Sequence, residues 1–336
     1  MDECPYFGKC AGCRLQHTPY ERQIENKLKQ VRSALGFDDV KAYFSSAFGC
    51  RNRMDFFFGK PAIGLRDRAG KIIDIEMCAI ANSTVRRLFA EIRAGFRNPC
   101  KAFSGAIVRA PCSDSGIVFV LDSRSSKIRE AVKQVRNFST SAKNVVIKCD
   151  DNIFAVKGSE YLQAEYLGKR FTFPAEGFFQ NNDAVAEMMH RHVRQMLGKY
   201  DTGGAELLDL YAGAGTFGSI NADMFSKVCL FESSCLAQNL PENCAFYHKD
   251  AEQVRNLKFS RPVYVITDPP RTGMSMKVIE HLRSLKPEVI VYVSCNLMQV
   301  RKDILKLGCR IKSAAMFDMF PHTYHIETVA ELEQNI

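Results

Sequence analysis

Four apolar runs in the second half of this chain, each breaking off in polar or glycine-rich residues, constrain its fold more than any other feature. They are ELLDLYAGAGTFG (206–218), KVCLFESS (227–234), PVYVITDPP (262–270) and EVIVYVSCN (288–296). Strands that read apolar throughout are covered on both faces, and an open parallel sheet gathers its chemistry beyond the strands' carboxyl ends. The expected class is therefore α/β, with residues 166–336 as a Rossmann-like unit. Val185, Met188, Met189, His192, Val193 and Met196 recur at helical spacing and predict a helix over 182–197. A second helix over 276–285 links the third run to the fourth. The tail, CRIKSAAMFDMFP then HIETVAELE, predicts an antiparallel hairpin at the sheet edge.

The first half is built differently. Ile24, Leu28, Val31 and Leu35 predict a helix over 20–35 whose other faces, with Arg22, Lys27, Lys29 and Arg32, could meet phosphates. Short strands and turns follow over 49–80, then helices near 82–95 and 126–138 among further strands. This predicts an α+β unit over 50–165 behind an N-terminal segment, 1–80. Residues 1–169 carry 28 Lys and Arg against 18 Asp and Glu, while residues 170–336 carry 18 against 19. The basic excess lies entirely in the first half, as a polyanion-binding surface requires. The chain is 46% hydrophobic and 25% charged, a globular composition. It has no apolar run near the roughly 20 residues that span a bilayer, and its first residues do not read as a signal peptide. A cytoplasmic monomer is expected.

The glycine turn Gly213-Ala-Gly215-Thr-Phe-Gly218 allows a tight strand-to-helix passage and close backbone approach to a ligand. Dinucleotide enzymes, ATP enzymes and methyltransferases all use such a turn. Asp209 would repel a pyrophosphate yet could pair with a methionine ammonium, and Glu232 could accept from ribose hydroxyls. Asp268-Pro-Pro-Arg271 ends the third run, where stiff prolines would aim Asp268 at a reactive centre.

Cys295 stands just beyond the fourth run. A cysteine there could act as a nucleophile, and addition–elimination through its thiolate would need a second, basic residue to remove a proton. Glu327 suits that task, and His322 and His325 could orient it or touch RNA. Thirteen cysteines are too many and too unevenly spaced for a disulfide framework. Cys4, Cys10 and Cys13, with a remote fourth, could hold zinc or an iron–sulfur cluster.

Taken together, CPYFGKCAGC, FFQNN (178–182), DLYAGAGTFG, DPPRTG, SCN followed by RKD, and DMFPHTYHIE resemble the RNA uracil-5-methyltransferase family along nearly the whole chain. The resemblance implies a class I methyltransferase domain using S-adenosylmethionine, preceded by an RNA-binding domain with an N-terminal iron–sulfur loop. It makes Cys295 the nucleophile and Glu327 the base, with Asp268 beside them. Gln180, Asp209, Tyr211, Gly213, Gly215, Glu232, Asp250 and Asp268 would line the cofactor and substrate pocket. Cys4, Cys10, Cys13 and Cys78 would bind a 4Fe–4S cluster pinning that loop near Arg51 and Arg53. Those two arginines, with Arg271, His322 and His325, are the expected RNA contacts. Compact members lacking an extra β-barrel domain point to 23S ribosomal RNA, with the tRNA T loop as the alternative. A noncatalytic RNA-binding protein and an NAD-linked oxidoreductase leave the Cys295–Glu327 pair unused. The stretch between Glu232 and Asp250 is short, and Pro241 argues against a full helix there.

Overall fold

The computed structural model describes residues 4–59, 62–234, 237–259 and 262–335. Part of the short 232–250 stretch, residues 235–236, lies outside them. After the cysteine loop come α1 (Tyr20–Leu35) and β1 (Val40–Tyr43). There follow β2 (Arg53–Phe58), β3 (Ile63–Arg66), β4 (Ile72–Asp74), α2 (Ser83–Gly95), β5 (Phe103–Arg109), β6 (Gly116–Leu121), α3 (Ile128–Arg136), β7 (Asn144–Cys149) and β8 (Asn152–Lys157). A hairpin, β9 (Tyr161–Tyr166) and β10 (Lys169–Pro174), leads into α4 (Asp183–Leu197). The remainder is β11 (Glu206–Leu210), α5 (Thr216–Asn221), β12 (Lys227–Glu232), β13 (Cys244–His248), β14 (Val263–Thr267), α6 (Met276–Leu285), β15 (Val289–Ser294), α7 (Leu297–Leu307), β16 (Cys309–Phe317) and β17 (Glu327–Gln334).

Eight strands form one sheet in the order β1-β16-β17-β15-β14-β11-β12-β13. From β11 the chain runs outward through β12 and β13, then returns to β14 on the other side. The crevice between β11 and β14 is thus the switch point where open α/β sheets bind ligands. β15, β14, β11, β12 and β13 are parallel, as their apolar runs require, and β17 lies antiparallel between β15 and β16. The closing hairpin is not at the edge as expected, because β1 pairs in parallel with β16 and covers it. Residues 20–43 therefore belong to this sheet, with α1 packed through Ile24, Val31 and Leu35 into the core that holds Val300 and Ile304 of α7.

The second sheet, β4-β3-β2-β5-β6-β7-β8, is antiparallel except where α3 carries β6 to a parallel β7. The β9–β10 hairpin, not anticipated from the sequence, joins the two halves: Leu162, Phe171 and Phe173 share one core with Val118, Val146 and Met189. The helix α7 was also not foreseen; Asn296 caps it by accepting from the Gln299 N–H. Among the described residues no helix is long and apolar enough to cross a membrane.

Candidate active site

Register brings two carboxylates to the switch point. Leu210 lies opposite Phe231 on one side and Thr267 on the other, so Asp209 and Asp268 stand at neighbouring strand ends. Asp209 is 1% exposed. Its Oδ2 accepts from the Gly218 N–H at 2.8 Å, while Oδ1 is buried without a partner among the described residues. Burial pushes this carboxyl up to about 8, with Asp268 and Glu232 adding to the rise against the Gly218 bond. A buried unpaired oxygen asks for a donor from a ligand, and a cationic one suits a carboxylate. Glycine at 218 leaves room for this bond, since a Cβ there would stand 2.9 Å from Leu230 Cδ2 and 3.0 Å from Asp209 Oδ2 and displace those side chains.

The glycine turn itself bends through positive φ at Tyr211, Gly213 and Gly215. Glu232 stiffens it: Oε2 accepts from the Gly213 N–H at 2.9 Å, and Oε1 from the Ser234 N–H and hydroxyl at 2.6 and 2.7 Å. The Ser275 N–H reaches the Tyr211 hydroxyl, although burial still pushes that phenol up to about 12. Asp250 is exposed and accepts from the Glu252 N–H at 2.8 Å. No helix joins β12 to β13 among the described residues, but Ala237 and Leu240 pack beside Gly215 and cover one flank of the turn.

The antiparallel pairing of β15 with β17 sets Ser294 opposite Thr328; one step further places Cys295 opposite Glu327. Both are half-buried. Burial raises the Cys295 thiol and Glu327 adds to it, while a hydrogen bond from Arg271 opposes both. Glu327 is held well above the usual carboxylate range by burial and by Asp268, again with Arg271 opposing. Burial raises Asp268 to about 7. Arg271 Nη2 also approaches His325 Nδ1 at 3.4 Å, and its carbonyl accepts from Asn296 Nδ2 at 2.9 Å. The loop carrying Asp268 and Arg271 is fixed from α7, where buried Asp303 accepts from the Met274 N–H, the Tyr292 hydroxyl and Gln299 Nε2 at 2.9, 2.7 and 2.8 Å. Gly273, at φ +79°, is the only residue type that fits, because a Cβ would come within 2.5 Å of Asp303 Oδ2.

Gln180 is held by its backbone. Arg109 Nη2 donates to the Phe179 carbonyl at 3.2 Å, Asn52 Nδ2 to the Gln180 carbonyl at 3.0 Å, and the Asn52 N–H to the Asn181 carbonyl at 2.9 Å. Asn52 Nδ2 also donates to Asp183 Oδ1 at 2.7 Å. Sequence reasoning assigns no role to Asn52, Arg109, Gly273 or Asp303; of these, only Gly273 and Asp303 fall within the motifs quoted above.

Cys4, Cys10, Cys13 and Cys78 line one cavity of about 300 Å³ together with Arg51. Burial pushes the Cys13 thiol up to about 12, and Cys78, Cys10 and Cys4 add to the rise. Among the described residues no three His, Cys, Asp or Glu side chains gather closely enough to hold a single metal ion. Arg53 is bound inward, to Asp55 Oδ1 at 3.0 Å and the Gly177 carbonyl at 3.0 Å. His322 is buried, its Nδ1 3.1 Å from Gln23 Nε2, so it braces the loop and faces no solvent. Of the four basic residues expected to meet phosphates from α1, Lys27 does not face outward: it is buried and pairs with Asp318 Oδ1 at 2.6 Å.

Residues 231–335 match the family model described as tRNA (Uracil-5-)-methyltransferase. The chain is 32% identical to the tRNA (uracil(54)-C(5))-methyltransferase of Pyrococcus horikoshii, over 98% of this chain and 85% of that one. It is 30% identical to an uncharacterized RNA methyltransferase of Caldanaerobacter subterraneus, over 99% and 84% of the two chains. The crystal structure of the Pyrococcus abyssi tRNA (uracil-54, C5)-methyltransferase in complex with S-adenosyl-L-homocysteine superposes with a TM-score of 0.80 at 27% identity, covering 96% of this chain and 86% of that one. The fold is that of a class I S-adenosylmethionine-dependent methyltransferase, and the chain belongs to the RNA uracil-5-methyltransferase family.

Proposed function

We propose that this protein methylates C5 of a uridine in the T loop of tRNA. The observation that carries the chemistry is the pairing of Cys295 with Glu327 across β15 and β17, next to Arg271 and Asp268. The tRNA assignment rests on the names of the two Pyrococcus relatives. The expectation of 23S ribosomal RNA finds no support in the relatives described above.

The Cys295 thiolate adds to C6 of a flipped-out uracil, breaking the C5–C6 double bond and making C5 nucleophilic. S-adenosylmethionine, when bound, would supply an electrophilic methyl carbon; C5 attacks it, and the C5–methyl bond forms as the sulfur–methyl bond breaks to leave a neutral thioether. The Glu327 carboxylate then takes the C5 proton. The released electron pair restores the C5–C6 double bond and expels the Cys295 thiolate. A carboxylate whose pKa is raised by burial is a stronger base, as this proton transfer needs. Arg271 favours the deprotonated form of both groups. Asp209 Oδ1, unpaired and buried, would accept from the cofactor's ammonium, with Gln180, Tyr211, Gly213, Gly215, Glu232 and Asp250 around the pocket.

Cys4, Cys10, Cys13 and Cys78 would hold a 4Fe–4S cluster. Four thiols spread around one cavity suit a polynuclear group better than a single ion. Its role would be to tie the N-terminal loop to the segment after Cys78, and no step of the transfer uses it. The basic unit over 50–165, with Arg51 near His325, forms the RNA platform. Incubation with labelled S-adenosylmethionine and unmodified tRNA or 23S transcripts, followed by mapping of the methylated base, tests the reading. Label confined to the tRNA T loop supports it; label in 23S fragments alone refutes the target.

A further inference from the structure

Gln23, Asn26, Lys27 and Gln30 are spaced at three, four and seven residues along α1 and therefore share one face. That face, with Lys29, Leu15, Thr18 and Tyr324, lines a groove of about 260 Å³. Its inner wall is rigid. Lys27 Nζ is anchored to Asp318 Oδ1 at 2.6 Å and to the Phe320 carbonyl at 3.1 Å. Gln23 Nε2 donates to the Leu15 and Thr18 carbonyls, both at 2.8 Å.

The outer rim is different. Asn26, Lys29 and Gln30 are exposed, and their side chains make no hydrogen bond or ion pair among the described residues. Tyr324 is 65% exposed at the lip, held up by a braced loop instead of being packed. The next residue, His325, touches Arg271, and Arg271 bonds Cys295. A chain of contacts thus runs from the lip of the groove through His325 and Arg271 to the reactive thiol, and Lys27 in the groove wall is close enough to disfavour protonation of His325.

We propose that this groove is a subsite for one unpaired nucleotide of the substrate RNA adjoining the target uridine. This rests on the reading of the protein as an RNA uracil methyltransferase. Extruding a base leaves its neighbours without a stacking partner, and an exposed aromatic ring takes their place for any base. Tyr324 supplies the ring, Asn26 and Gln30 supply paired donors and acceptors for a base edge, and Lys29 supplies a cation for the adjoining phosphate. The groove is smaller than the roughly 300–1,000 Å³ clefts that enclose drug-sized ligands, which fits a single base lying on an open lip.

The test compares Tyr324→Ala, Tyr324→Phe and the double variant Asn26→Ala/Gln30→Ala with the wild type. RNA affinity is measured by fluorescence anisotropy on a T-arm stem-loop transcript, methyl transfer by steady-state kinetics, and S-adenosylhomocysteine affinity by calorimetry. Tyr324→Ala should weaken RNA binding and raise the RNA KM about tenfold, the size of one lost base–aromatic stack. Its kcat should stay within about twofold and its cofactor affinity should not change. Tyr324→Phe should behave as wild type, and the double variant should lose several-fold in RNA affinity. Wild-type RNA affinity and KM in Tyr324→Ala would overturn the subsite, as would loss of kcat with RNA affinity intact. If the wild type methylates no RNA, the functional reading fails, and the anisotropy series still decides whether the groove holds a nucleotide.

Discussion

Replacing Arg271 by Gln isolates the group that keeps both working residues ionisable. Cys295 and Glu327 act deprotonated, yet burial raises both and each is raised further by a neighbouring acid. The Arg271 guanidinium opposes this at both sites. A cation within about 4–6 Å lowers such a pKa by roughly 1–3 units. Arg271 is exposed, so solvent screening places the effect at the low end, about one unit or ~1.4 kcal/mol. The sign follows directly: without the cation both pKa values rise, and less of the active form exists at any given pH. The acid limb of the pH–rate profile should shift up by about one unit, with the rate on that limb falling about tenfold. The limb belongs to the coupled pair and not to either residue. Single-turnover methylation at saturating RNA across pH reads this, and Arg271→Lys should restore most of the lost rate. An acid limb moved by less than about 0.2 units in Arg271→Gln would refute the electrostatic reasoning.

Asp209→Asn removes the orphaned carboxyl that a bound ammonium would draw into its charged form, and should weaken S-adenosylhomocysteine binding by about 2 kcal/mol, roughly thirtyfold by calorimetry, without loss of fold stability. Asn52→Ala strips donors from the Gln180 carbonyl and from Asp183; denaturant unfolding should show a loss of about 1–3 kcal/mol, and kcat should fall more than RNA affinity. Gly273→Ala combines the left-handed backbone penalty of about 1–2 kcal/mol with a contact on Asp303, and should cost both stability and turnover. Gly70→Ala is its control: φ is +83° there and nothing stands within 4 Å of the added carbon, so only the backbone penalty should appear and turnover should be unchanged.

Local chemistry was legible in the sequence wherever it follows from a repeating pattern. The α1 and α6 spans agree with their apolar spacing, and the four apolar runs became the parallel strands whose ends carry Asp209, Glu232, Asp268 and Cys295. What depends on remote partners was not legible. Lys27 looks like any surface lysine on α1 until Asp318, 291 residues away, is folded against it. His322 reads as a loop histidine and is buried because Gln23 holds it on one side and Phe48 packs on the other. β1 is too short and mixed to announce that it extends a sheet formed by the last strands of the chain. The Asn52 clamp on Gln180 and Asn181 lies between two arginines that drew attention by their charge, although Arg53 is bound inward.

The most direct test of the central claim is single-turnover transfer of labelled methyl from S-adenosylmethionine to unmodified tRNA by Cys295→Ala, run beside the wild type. If C5 becomes nucleophilic only through addition of this thiolate to C6, the variant should bind cofactor and RNA normally and transfer no methyl. Label at C5 of uridine in the Cys295→Ala reaction would contradict it.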